Sequence, residues 1–211
     1  MSSSLTTTAL PLRSVQVLEK PLDWTALWQA WSALGPAALF ESGGPLSEAS
    51  RWVILAEGAS QETASEQDVW KLLDEVGADQ GSFDPFPVAL SKSWFGLFSY
   101  EFGHQLIVPK TKSDIRLRAP GHYFFKPTRL LVYDRQEKEL HQFGDVDEVA
   151  VDRSAQNFKV GPVQAQVTAE QYESMVRKVQ AYITAGDIYQ ANLAQSFQAS
   201  WQGKASTLYR I

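Results

Sequence analysis

The chain has 211 residues, 44% of them hydrophobic and 12% aromatic, so it can bury a core and is neither a disordered tail nor a low-complexity protein. Its net charge of −5 leaves no basic footprint for nucleic acid, and a small anionic substrate would need local cations against that field. Cysteine is absent, which excludes disulfides, thiolate metal sites and a cysteine nucleophile within this chain.

The start is Ser/Thr-rich and has no charged n-region followed by a long apolar run. Residues 1–12 are expected to be a disordered N-terminus. No apolar run is long enough to span a bilayer, so no membrane contact is expected and the expected location is the cytoplasm. Arg13 to Glu19 reads as a short strand. A helix follows, with Asp23 as N-cap and Leu22 and Leu27 at the positions of a hydrophobic staple. Trp24, Leu27, Trp28 and Trp31 fall on one face, which predicts core packing rather than a binding platform.

Ala37 to Ser42 reads as a buried strand ended by Gly43-Gly44-Pro45, and Arg51 to Ala56 as the next. Ser65 opens a second helix with Asp68 at the capping-box position. Val69, Leu72, Leu73 and Val76 form its stripe and Gly77 closes it. Trp94 to Gly103 suits a buried strand in which Gly96 lies close to another backbone. Tyr123 to Tyr133 and Glu139 to Phe143 read as a hairpin across the polar turn Asp134 to Lys138. Residues 146–167 are polar and carry Gly161 and Pro162, so they are assigned as a linker between residues 13–145 and residues 168–211.

Thr168 starts the best-punctuated helix. Thr168 and Gln171 make a capping box, Tyr172, Met175, Val176, Val179, Tyr182 and Ile183 share a face, and Gly186 stops it. Gly186 to Phe197, GDIYQANLAQSF, then reads as a strand with Gln190 and Asn192 on its polar, uncharged face. Ser206 reads as the N-cap of a further helix. One turn is unstable alone, so the chain is expected to stop inside a domain. The uneven order of strands and helices predicts an α+β fold of mixed or antiparallel sheets packed with helices.

The string Ile183 to Leu193, ITAGDIYQANL, resembles the start of the chorismate-binding domain of chorismate-utilising enzymes. It is most similar to the large subunits (component I) of aminodeoxychorismate synthase and anthranilate synthase. Those proteins usually have Arg just before the closing Phe, where this chain has Ser196. Gly96 to Glu101 is similar to a G-x-x-S-Y-[DE] segment of the same group, and Tyr100 and Glu101 fall in it. Phe40, Glu41 and Ser42 occupy the place of an L-L-E-S motif whose Ser helps hold feedback tryptophan. Ser50 to Ala56 is similar to S-R-W-x-I-L-A of the aminodeoxychorismate group. The resemblance implies an anthranilate synthase component I-like fold: an N-terminal domain over 13–145 and an incomplete chorismate-binding domain over 168–211.

The implied chemistry is amination of chorismate to 4-amino-4-deoxychorismate, toward para-aminobenzoate and folate. Ammonia would come from a glutamine amidotransferase subunit (component II). The alternative is anthranilate synthase component I, of tryptophan biosynthesis, or a non-catalytic amino-acid-binding or docking module. Gln190 is the implied catalytic residue. Water-adding relatives have Lys at this position, a possible general base, whereas a neutral amide takes no proton at pH 7 and suits enzymes whose nucleophile is ammonia. Tyr189 and Asn192 are implied substrate contacts, and Glu41, Ser42 and Arg51 an implied regulatory amino-acid site. Mg²⁺ is the implied cofactor, with ligands expected downstream of Ile211 and none in this chain. His104, His122 and His141 stand at no metal-ligand spacing and read as ordinary.

Overall fold

The computed structural model describes residues 9–20, 22–58, 69–71, 73–74, 85–99, 102–103, 121–146 and 158–209. Tyr100, Glu101, His104, most of the second predicted helix and residues 1–8 of the N-terminal segment lie outside them. The chain divides into two units, Met1–Arg153 and Ser154–Ile211. The fold class is α+β.

The first unit is built on an antiparallel sheet of five strands in the order β1-β7-β6-β3-β2: β1 Leu12–Val17, β2 Ala37–Glu41, β3 Trp52–Gly58, β6 Pro127–Asp134 and β7 Glu139–Phe143. Strand β6, PTRLLVYD, is central and buried at all positions but Thr128. That is why its apolar residues run on instead of alternating: both of its faces are covered. Side chains still point to opposite sides in turn. Val53, Leu55, Leu131, Tyr133 and Leu140 join Trp24 and Trp31 of α1 (Trp24–Ser32) in one core. Ala56, Leu130, Val132 and Phe143 join Phe95 and Phe125 in a second core on the other face.

Asp23 caps α1 by accepting a hydrogen bond from the Ala26 N–H at 3.0 Å. The tryptophan stripe is core, with Trp24 and Trp31 buried and Leu27 and Trp28 packed against them. Trp28 also donates its indole N–H to the Ala37 carbonyl at 3.2 Å, tying the helix to the sheet's edge strand.

The predicted single strand from Tyr123 to Tyr133 is two strands. β5 (His122–Phe125) pairs with β4 (Phe95–Phe98) in a separate two-stranded sheet, and β6 begins after Lys126. Pro127 explains the break, because it has no N–H to continue the first ladder. The strand predicted from Trp94 to Gly103 is correspondingly short, and residues 102–103 are helical.

Gly96 faces Phe124 across this pair, and a Cβ there would collide with the Tyr123 carbonyl oxygen. Gly96→Ala is therefore expected to destabilise the first unit by about 1–3 kcal/mol, the usual cost of overpacking, in urea unfolding followed by tryptophan fluorescence. An unchanged midpoint would contradict the close approach.

The second unit has little core. It contains α2 (Ala169–Ala185), α3 (Ala205–Tyr209) and four two-residue strands: β8 Lys159–Val160, β9 Gln164–Ala165, β10 Phe197–Gln198 and β11 Trp201–Gln202. Strands β8 and β9 lie within the polar stretch assigned as linker. Among the described residues of this unit no apolar side chain is buried, and α2 buries none of its residues. Helix α2 is held by its ends. Thr168 and Gln171 form the predicted capping box, with Gln171 N–H to Thr168 Oγ1 at 3.2 Å and Thr168 N–H to Gln171 Oε1 at 2.9 Å. The N-cap predicted at Ser206 is displaced: α3 begins at Ala205, and Thr207 N–H bonds to the Lys204 carbonyl.

Candidate functional site

The motif that carries the resemblance begins where α2 ends. Gly186 adopts φ 80°, a left-handed conformation that a side chain would strain. The Gly186 N–H bonds to Ile183 O at 3.1 Å and the Asp187 N–H to Tyr182 O at 3.0 Å, which closes the last turn and redirects the chain.

At its other end the motif is tied to a bulged ribbon. Phe197 and Gln198 pair with Ala165 and Gln164, and Trp201 and Gln202 pair with Val160 and Lys159. Between these pairs Gly161, Pro162 and Val163 stand opposite only Ala199 and Ser200, so one strand carries an extra residue. The Gly161 N–H donates to Ser200 O at 2.8 Å and the Gln166 N–H to Ser196 O at 2.9 Å. An open groove of about 520 Å³ lies along this bulge, lined by Pro162, Gln164, Phe197, Gln198, Ala199 and Ser200.

The predicted strand from Gly186 to Phe197 is not formed as such. Only Phe197 and Gln198 are strand, and residues 188–196 run without a ladder. Alternation of polar and apolar side chains sets a strand's faces, but a strand also needs a partner for its N–H and C=O groups. Among the described residues no strand lies beside Ile188–Gln195 to supply one. Tyr189, predicted on the apolar face, is 94% exposed. Gln190 and Asn192 are exposed as well. None of the three lines the groove.

The second predicted constellation lies at one end of the five-stranded sheet. Glu41 is opposite Val53, whose side chain is in the α1 core, while Phe40 is opposite Ile54 on the other face. Ser42 follows Glu41, just past the end of β2. Arg51 is engaged: its Nε donates to both carboxylate oxygens of Asp134 at 3.0 Å, and its Nη2 also meets Oδ2. The guanidinium lies 4.8 Å from the centre of the Trp52 ring, and Trp52 meets Phe86 edge-on at 4.5 Å. Phe40 and Phe86 are 43% and 46% exposed, so this end of the sheet presents aromatic surface.

Sequence reasoning missed Asp134 and Arg135. The available signal was Asp at the start of a hairpin turn, where its side chain accepts from backbone N–H groups further on. Here Asp134 Oδ1 accepts from Gln136 N at 2.9 Å and Glu137 N at 3.3 Å. Burial works to raise the Asp134 pKa, but the hydrogen bonds from Arg51, Glu137 and Gln136 and the charge of Arg51 outweigh it and hold the carboxyl below its usual range.

A group depressed in the folded state contributes stability above its unfolded pKa and loses it as pH falls through the folded one. The stability gap between wild type and Asp134→Asn is thus expected to be full at neutral pH and to shrink below about pH 4. Urea midpoints from pH 7 to pH 3 measure it, and a gap that widens in acid would contradict the pairing.

Among the described residues no group of three or more His, Cys, Asp or Glu side chains could hold a metal ion. His122 packs edge-on against Phe102 at 5.3 Å, and His141 lies 3.6 Å from Glu139. No helix among the described residues is long and apolar enough to cross a membrane.

A family model described as chorismate binding enzyme matches residues 35–211. The chain belongs to that family. Among curated proteins it is 27% identical over 124 residues to aminodeoxychorismate synthase component 1 of Klebsiella aerogenes, covering 54% of this chain and 28% of the relative. It is 30% identical over 117 residues to the Escherichia coli (strain K12) protein of the same name, covering 51% and 26%. An anthranilate synthase component I-like protein of Synechocystis sp. is 29% identical over 126 residues, covering 54% and 26%. The chain thus spans roughly a quarter of the length of the curated relatives it matches.

Proposed function

We propose that this chorismate-binding family member serves ammonia-dependent amination of chorismate to 4-amino-4-deoxychorismate. The observation that carries the reading is the family match over residues 35–211, joined to the names of its aminodeoxychorismate synthase relatives. Gln190 is the proposed group in the nucleophile's half of the site, with Tyr189 and Asn192 beside it on the same segment.

An amide in open water orients nothing, so Gln190 acts only when further polypeptide covers residues 188–196 and excludes solvent. A glutamine amidotransferase supplies the ammonia in this reading, and Mg²⁺ is the expected metal.

Genetic complementation tests it. The protein as its gene encodes it is expected to restore growth without para-aminobenzoate to a bacterium lacking aminodeoxychorismate synthase component 1. Rescue only of a strain lacking anthranilate synthase component I would overturn the reading in favour of that activity.

A second reading adds an aromatic amino acid bound near Ser42. One observation favours it: half-exposed Phe40 and Phe86, with Trp52 between the Phe86 edge and the Arg51 guanidinium, offer a platform for a ring. Arg51 is already held by Asp134, so it contributes its place over Trp52 and not a free clamp for a carboxylate.

A further inference from the structure

Arg135 belongs to neither constellation that the sequence or the family match picks out, yet it governs the shape of one. It sits in the turn between β6 and β7 and reaches across to the loop that joins β2 to β3. Its Nη1 donates to the Ser42 carbonyl at 3.1 Å and to the Ser50 carbonyl at 2.7 Å, and its Nη2 to the Gly44 carbonyl at 3.2 Å. Its backbone N–H donates to Arg51 O at 2.8 Å. Ser42 and Ser50 are the two feet of the loop, so a single guanidinium joins both.

The loop's own bonds lie between the feet. Ser47 N–H donates to Ser50 Oγ at 2.9 Å, and Ser50 Oγ donates to the Pro45 carbonyl at 2.6 Å. They shape its second half and leave Ser42 unattached. Lysine could not replace the clasp. Its ammonium is a point charge, whereas the planar guanidinium presents donors in a fixed fork that serves carbonyls on separate sides.

We propose that Arg135 is the positioning residue of the Ser42–Arg51 loop, fixing Ser42 and Arg51 beside Trp52 for an aromatic amino acid that Arg135 itself does not touch. The ligand rests on the second reading above. The clasp rests on the hydrogen bonds alone. The bonds to Ser42 and Gly44 are exposed, so losing them costs the loop its order more than it costs the unit its stability.

Amide hydrogen exchange and calorimetric titration with L-tryptophan, on wild type, Arg135→Ala and Arg135→Lys, test the two parts separately. In Arg135→Ala, exchange across residues 43–50 is expected to rise about tenfold or more while the amides of β3 and β6 keep their protection. L-Tryptophan affinity is expected to fall by about the same factor, and Arg135→Lys to recover little of either. Unchanged exchange at residues 43–50 overturns the clasp, whatever the wild type binds. A loop that loosens in Arg135→Ala while wild type takes up no L-tryptophan sustains the clasp and overturns the amino-acid reading.

Discussion

Arg129→Met is expected to destabilise the first unit by about 3–5 kcal/mol, the cost of stripping one partner from a buried ion pair. Arg129 Nε donates to Glu57 Oε2 at 2.7 Å, with the two side chains 11% and 9% exposed. The guanidinium also lies 4.6 Å from the centre of the buried Trp31 ring. Glu57 and Arg129 are opposite each other on β3 and β6, so the pair sits on a ladder rung. Thr128 Oγ1 adds a longer hydrogen bond to the Glu57 carboxylate at 3.4 Å.

Loss of the arginine leaves a carboxylate in a low-dielectric place with one weak donor. Removing both charges, as Glu57→Leu with Arg129→Met, is expected to return most of the loss, because well-packed apolar groups avoid the desolvation that the pair itself suffers. Urea unfolding followed by tryptophan fluorescence measures both. A single variant within about 0.5 kcal/mol of wild type would contradict the buried pair.

Gln190→Ala is expected to lower kcat/KM for ammonia-dependent amination by about 10²-fold while leaving unfolding unchanged. A urea midpoint measured on the same variant separates the two effects, since a loss of activity at an unchanged midpoint is not a loss of fold. Gln190→Lys is expected to lose amination as well, because the amide is replaced by an ammonium at neutral pH. Steady-state rates with ammonium chloride as nitrogen source, on the protein as its gene encodes it, measure both. Wild-type rates in both variants would remove Gln190 from the site.

The elements with local punctuation were legible in the sequence. Asp23, the Thr168–Gln171 box and Gly186 each act within a turn, so their residue types mark helix ends without knowledge of the rest of the chain. The tryptophan stripe of α1 was legible for the same reason, since a periodicity over one helix needs no tertiary information.

What failed was pairing. The alternation in GDIYQANLAQSF is genuine, yet a ladder depends on a partner elsewhere in the chain, and the described residues provide one only at Phe197 and Gln198. The break at Lys126 had a local mark in Pro127, but that β5 meets β4 while β6 meets β3 and β7 is a matter of partners that no local pattern records. The surroundings of Ser42 were half legible. Arg51 was identified, but its engagement by Asp134 and the reach of Arg135 come from a hairpin more than eighty positions later. No local pattern records such a contact.

The most direct test of the central claim is to supply chorismate with ¹⁵N-ammonium and Mg²⁺ and to locate the nitrogen in the product. Family membership and the relatives' names lead to an expected product that carries ¹⁵N in place of the ring hydroxyl and keeps its enolpyruvyl group, with water as the only other product. Labelled anthranilate with released pyruvate, or unlabelled hydroxylated product, would contradict it.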